Sequence, residues 1–159
     1  MLFRSTNGGN ILFTQFAALD SQATEHNDLL LTAAAGSIEF NANIGATQSL
    51  NTFTVTQADG GLVFGGADTA GGDQAPITTI NTDGAIDFGS TAIITGGITL
   101  NPAGGTLTIQ TTGDAVRFNG PTTLAGAVVI DTDNTDADNV GGTITFTSSA
   151  PINSAATEH

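Results

Sequence analysis

Few residues in this sequence could do chemistry, and they are unevenly placed. The densest group is Asp131, Asp133, Asp136 and Asp138, carboxylates alternating with Thr132, Asn134, Thr135 and Ala137. Calcium takes about six to eight oxygen ligands from carboxylates, amides and backbone carbonyls, so a short loop of this composition is the candidate metal site, with calcium as its ion; otherwise no cofactor is expected. An EF-hand loop is excluded, because its sixth and twelfth positions, counted from Asp131, hold Asp136 and Gly142 instead of glycine and glutamate. A solvated acidic turn, where the coil tolerates an insertion, is the reading favoured over a metal site. The glycine-rich, acidic stretch from Gly65 to Asp73 is a single imperfect match to calcium-binding nonapeptides.

Catalytic candidates are scarcer. His26 and His159 have no cysteine, lysine or second histidine nearby in sequence with which to build a relay, and an isolated histidine near a turn is usually solvated or hydrogen-bonded. The many serines and threonines lack a G-x-S-x-G elbow or any other activating context. Only Arg4 and Arg117 are basic, against 15 acidic residues, for a net charge of -13. Phosphate backbones need clustered cations, so nucleic acid is excluded as a partner, and anionic membrane surfaces with it. The same shortage leaves nothing to stabilise charge developing on an acidic sugar, as a pectate-type lyase must. The chain is therefore expected not to be an enzyme. It has no cysteine to form a disulfide or a thiolate metal site, and no apolar run long enough to span a membrane.

What would position these residues is a repeat. The pattern glycine, any residue, branched aliphatic, any residue, phenylalanine occurs as Gly9 to Phe13 with Ile11, Gly36 to Phe40 with Ile38, Gly60 to Phe64 with Leu62, Gly84 to Phe88 with Ile86, and Gly142 to Phe146 with Ile144. A looser copy, Gly113 to Phe118, carries Val116. Successive phenylalanines are 27, 24, 24, 30 and 28 residues apart. Each copy alternates as a strand should, and a step of this size leaves too little chain for crossover helices. Helix formers are also short, since 21 of the 159 residues are glycine and lysine is absent.

The expected fold is an all-β parallel β-helix of about five to six coils, roughly 27 residues each, with two strands per coil. Stacked at about 4.8 Å, the coils align Ile11, Ile38, Leu62, Ile86, Val116 and Ile144 in one inward ladder. Phe13, Phe40, Phe64, Phe88, Phe118 and Phe146 align in a single stacked column. A longer period is superimposed. Residues 8–26 and 141–159, aligned without gaps at an offset of 133, are identical at 11 of 19 positions. The chain thus reads as one solenoid domain over 1–159, made of a 133-residue unit (8–140) and the start of the next (141–159), and as a piece of something longer. The residues at the start lack the basic region, apolar core and cleavage site of a secretory signal, so any export signal is expected elsewhere.

Stretches such as Leu29 to Gly45 and Gly142 to Ser148 resemble the degenerate repeats of filamentous-haemagglutinin-like giant bacterial surface proteins, and this texture covers nearly the whole chain. The resemblance implies a right-handed parallel β-helix, an extracellular place on the bacterial cell surface, and a structural role in adhesion or in building surface fibres. A host or neighbouring-cell glycan or protein would then be the external partner. An open coil at either end is a template for strand pairing, so head-to-tail stacking of copies into a filament is a further expectation. Two alternatives remain. One is a calcium-binding adhesive module. The other is an ice-binding solenoid, raised by the Thr-x-Thr triplets at Thr52, Thr106 and Thr143.

Overall fold

The computed structural model describes residues 1–5, 8–66, 76–134 and 140–155. The chain winds as an all-β parallel solenoid of about five turns, about 28 residues per turn, with no helix among the described residues. Each turn has three faces, not the two strands expected from the sequence. The first turn places β1 (Leu2–Arg4) on the first face, β2 (Ile11–Phe13) on the second, and only an isolated bridge at Leu19 on the third. The next turn repeats this with β3 (Leu29–Ala34), β4 (Ser37–Phe40) and a bridge at Ile44. Three full turns follow: β5 (Phe53–Ala58), β6 (Gly61–Phe64) and β7 (Thr79–Asn81); β8 (Ile86–Phe88), β9 (Ile98–Leu100) and β10 (Thr106–Gln110); β11 (Val116–Phe118), β12 (Thr122–Leu124) and β13 (Ala127–Asp131). Finally β14 (Ile144–Phe146) and β15 (Ile152–Ser154) open a sixth turn. All pairings between these strands are parallel, each strand lying on its counterpart one turn away.

The third face escaped the sequence reading because it lacks the glycine motif and begins as single-residue bridges. Its inward column, Leu19, Ile44, Ile80, Ile109 and Ile130, is nonetheless continuous. The motif itself also means something other than expected. Its first three copies lie on the second face as β2, β4 and β6, while β8, β11 and β14 lie on the first. The six phenylalanines therefore belong to two columns. Phe13, Phe40 and Phe64 are continued by Leu100 and Leu124, whereas Phe3, Leu31 and Val55 lead to Phe88, Phe118 and Phe146. The aliphatic set divides the same way: Ile11, Ile38 and Leu62 share the second face with Ile98, while Ile86, Val116 and Ile144 share the first with Phe53.

The physical reason is that the motif encodes a corner and a strand and carries no label for the face. Its glycine sits where one corner rests on the corner below. A Cβ on Gly60 would lie 2.8 Å from the Gly36 carbonyl carbon, and one on Gly36 would collide with the Gly9 carbonyl. The aliphatic residue and the phenylalanine then point inward on any face. The rings still touch across the core. Phe3, Phe13, Phe40 and Phe64 connect through Phe53 to Phe88, Phe118 and Phe146, with centroids 4.6 to 6.2 Å apart, so one aromatic chain crosses from the second face to the first in the middle of the rod. Threonine is not confined to the solvated side. Thr82, Thr111 and Thr132 are buried at the corner between third and first faces, and their hydroxyls donate to the Gly84, Asp114 and Gly142 carbonyls.

The two copies of the duplicated segment occupy different faces. Ile11 to Phe13 form β2 on the second face and Ile144 to Phe146 form β14 on the first, so the offset of 133 residues amounts to four turns and two faces. The expected loop from Gly65 to Asp73 falls largely outside the described residues, which stop at Gly66.

Removing a ring from the middle of the aromatic chain should be far more costly than removing one from the surface. Phe64 is fully buried against Phe40, Phe53 and Phe88, whereas Phe16 is 87% exposed. Phe64→Ala is expected to lose about 3–5 kcal/mol and Phe16→Ala no more than about 0.5 kcal/mol, measured by urea denaturation. Equal losses would mean that the aromatic chain is not the core.

Candidate functional site

The solenoid fixes which polar side chains meet, since residues one turn apart share a corner. At the acidic loop, Asp131 ends β13 opposite Gln110, and its Oδ1 accepts the Asp133 amide at 3.1 Å. Thr132 turns inward, accepting the Gly113 and Gly142 amides on its carbonyl at 2.8 and 3.2 Å. Asp133 forms an antiparallel bridge with Thr112 and carries a buried Oδ1 without a hydrogen-bond partner among the described residues. Asp136 and Asp138 lie outside the described residues. Among the described residues no three metal-ligating side chains gather at one point.

A second constellation was not foreseen. His26 Nδ1 meets the Asp83 carboxylate, and Ser49 Oγ donates to Asp83 Oδ1 at 2.7 Å while lying 3.5 Å from His26 Nδ1. These residues are separated by 23 and 34 positions. They are successive occupants of the corner between the third and first faces. Only the unequal lengths of the turns, which the sequence does not announce, make those separations meaningful.

Serine, histidine and aspartate together invite a nucleophilic reading, and the geometry answers it. An activated serine gives its proton to one imidazole nitrogen while the carboxylate holds the other. Here the hydroxyl and the carboxylate share the Nδ1 side, and the serine proton goes to the carboxylate. The neighbouring amides of Gln48, Leu50 and Asn51 are engaged by Asp20 Oδ1 and by the Asn81 and Asn27 carbonyls, and so do not serve as oxyanion donors. The arrangement is a polar clamp across three turns. His159, the duplicate of His26, lies outside the described residues.

Two further charged groups, Arg117 and Asp28, are also tied between turns. Arg117 Nη1 donates to Asp87 Oδ1 at 2.8 Å and to the Gly89 carbonyl at 3.2 Å, its strand lying in register on that of Asp87. Asp28 accepts from Thr52 Oγ1 at 2.7 Å and from Asn51 Nδ2 at 2.8 Å, and these bonds, the threonine's first, hold its carboxyl below the ordinary aspartate value. The Thr-x-Thr triplets do not line up. Thr54 and Thr145 occupy one column of the first face but are separated in it by Asp87 and Arg117, while Thr108 lies on the third face.

Two stability measurements follow. Asp83 is the shared acceptor of the corner clamp, with His26 and Asp83 side chains 44% and 35% exposed. Asp83→Ala is expected to cost about 1 kcal/mol or less, a fall in Tm of about 2–4 °C, decreasing with added salt. For Asp28, a lowered folded pKa means stability that is present above its unfolded value and lost as the pH falls through the folded one. The Tm deficit of Asp28→Asn should thus be seen at neutral pH and should shrink from about pH 4 downward. A deficit independent of pH would show that charge at Asp28 is irrelevant.

No protein-family profile, curated protein or solved structure matches the chain.

Proposed function

We propose that this chain is a structural, non-catalytic solenoid module of an extracellular bacterial adhesin or surface fibre. The observation that carries the reading is how the side chains are used. The inward columns form a mostly apolar core, and charged and polar groups at the corners and on the first face bind partners in neighbouring turns. Such a rod transmits load through backbone ladders and offers its faces and corner loops as polar surface to a glycan or a protein. The resemblance of Leu29 to Gly45 and Gly142 to Ser148 to haemagglutinin-type repeats supports the same reading.

Immobilised chain is expected to retain host-cell glycans or surface proteins, and to turn over none of a panel of esters and polysaccharides. Turnover abolished by Ser49→Ala would overturn the structural reading.

A calcium-binding adhesive module is the second reading, favoured by Asp133 Oδ1, buried next to Asp131 and without a hydrogen-bond partner among the described residues. Under that reading Ca²⁺ added after chelation raises Tm and gives heat in calorimetry, and Asp131→Asn with Asp133→Asn removes both effects. Unchanged melting and absent heat would dismiss it. The ice-binding alternative has less support, because the threonine triplets are divided between faces.

A further inference from the structure

One backbone amide in the middle of the rod lacks a partner. Gly120 is buried at the corner between the first and second faces of the fifth turn, yet its N–H donates to nothing among the described residues. Buried N–H groups are nearly always bonded, so this one asks for a reason. Packing demands the glycine itself, since a Cβ there would lie 2.6 Å from the Ile94 carbonyl oxygen. The residue before it is Asn119, and Asn119–Gly120 is the one asparagine–glycine pair among the described residues. In such a pair the glycine nitrogen and the asparagine Cγ can close a five-membered ring, and glycine has no side chain to obstruct the approach.

Two other corners carry aspartate–glycine pairs that could close the same ring, Asp59–Gly60 and Asp83–Gly84. Their nitrogens are engaged. Gly60 N–H donates to the Gly36 carbonyl at 3.0 Å and Gly84 N–H to the Asn51 carbonyl at 2.6 Å. A carboxylate is also a poorer electrophile than an amide. At Asn119, by contrast, Thr147 Oγ1 donates to Oδ1 at 2.9 Å, placing a donor on the oxygen that takes up charge as the ring closes.

We propose that Asn119 is a site of spontaneous covalent modification to aspartate and isoaspartate, and that the change unfastens the fifth turn from the fourth. The Gly120 nitrogen loses its proton to solvent base and bonds to Asn119 Cγ; the Cγ–Nδ2 bond breaks and Nδ2 leaves as ammonia. Water then opens the resulting succinimide at either carbonyl, giving aspartate or isoaspartate, with no oxidant or reductant involved. Before the reaction Asn119 ties the turns together, its Nδ2 donating to the Gly89 carbonyl at 2.9 Å and its main-chain amide to the Phe88 carbonyl at 2.9 Å. In aspartate a carboxylate oxygen faces the Gly89 carbonyl where a donor stood. Isoaspartate routes the main chain through Cβ, which adds an atom at the end of β11 and disturbs its register on β8. Arg117, which donates to Asp87 and to the same Gly89 carbonyl, is then shared between two carboxylates.

The test incubates the folded full chain in a series of neutral to alkaline buffers, then denatures it and digests it with trypsin. Cleavage follows only Arg4 and Arg117, so residues 118–159 form one peptide, separate from the one that holds Asn7–Gly8. Fragment-ion mass spectrometry locates the conversion, and isoaspartate methyltransferase detects the isomer. Asn119 should convert ahead of every other asparagine in its peptide and faster as the pH rises, while Asp59 and Asp83 do not isomerise over the same time. The converted fraction, separated by ion exchange, should melt about 2–4 °C lower than the unconverted one, as should Asn119→Asp. Asn119→Gln, which would need a six-membered ring, should stay unconverted. An intact Asn119 in the folded chain, or isomerisation of Asp59 and Asp83 at the same rate, overturns the assignment of the site. Unchanged melting of the converted fraction overturns the unfastening.

Discussion

The whole architecture depends on in-register parallel pairing between one turn and the next. Parallel ladders place identical positions above one another, so each choice made in one turn becomes a constraint on its neighbours. A glycine at one corner requires a close approach from the next, as Gly36 does with Gly9 and Gly60 with Gly36. An inward position takes a residue that can be buried, usually an apolar one, so Leu100 and Leu124 can replace phenylalanine in the column of Phe64, and Thr122 stands between Ile98 and Ile152 with its hydroxyl donating to the Gly120 carbonyl. The same rule makes stability nearly additive along the axis, each rung answering mainly to its nearest neighbours.

Much of this was legible in the sequence. The alternation of Ile38, Glu39 and Phe40, the regular return of the motif and the scarcity of helix formers specified strands wound into a parallel coil. What could not be read was the face on which each copy lies. Glycine, aliphatic and phenylalanine satisfy a corner followed by an inward strand, and the first and second faces offer the same environment. The step from Phe64 to Phe88 looked like one coil, yet it covers only two faces of the turn. The third face was hidden for a related reason. A single bridging residue such as Leu19 or Ile44 leaves no periodic trace, although it supports a column that includes Ile80 and Ile109.

Candidate sites were less legible than the fold. Charge density drew notice to Asp131 and Asp133, whereas the meeting of His26, Ser49 and Asp83 depends on two turns of different length. In a solenoid any three residues that share a corner are brought together, whether or not their union performs chemistry. Direction of the bonds then matters more than proximity. Ser49 gives its proton to Asp83, so the cluster reads as a fastening. Buried Thr82, Thr111 and Thr132 teach a similar lesson, since each hydroxyl satisfies a carbonyl inside a corner that composition alone would assign to solvent.

The duplicated segment does not return to its own face, because 133 residues correspond to four turns and two faces. Ile11 to Phe13 and Ile144 to Phe146 are thus corresponding copies displayed on two compass bearings, a third of a revolution apart. The side turned outward is Leu12 in one copy and Thr145 in the other, so one inward framework carries two different outer side chains on two sides of the rod.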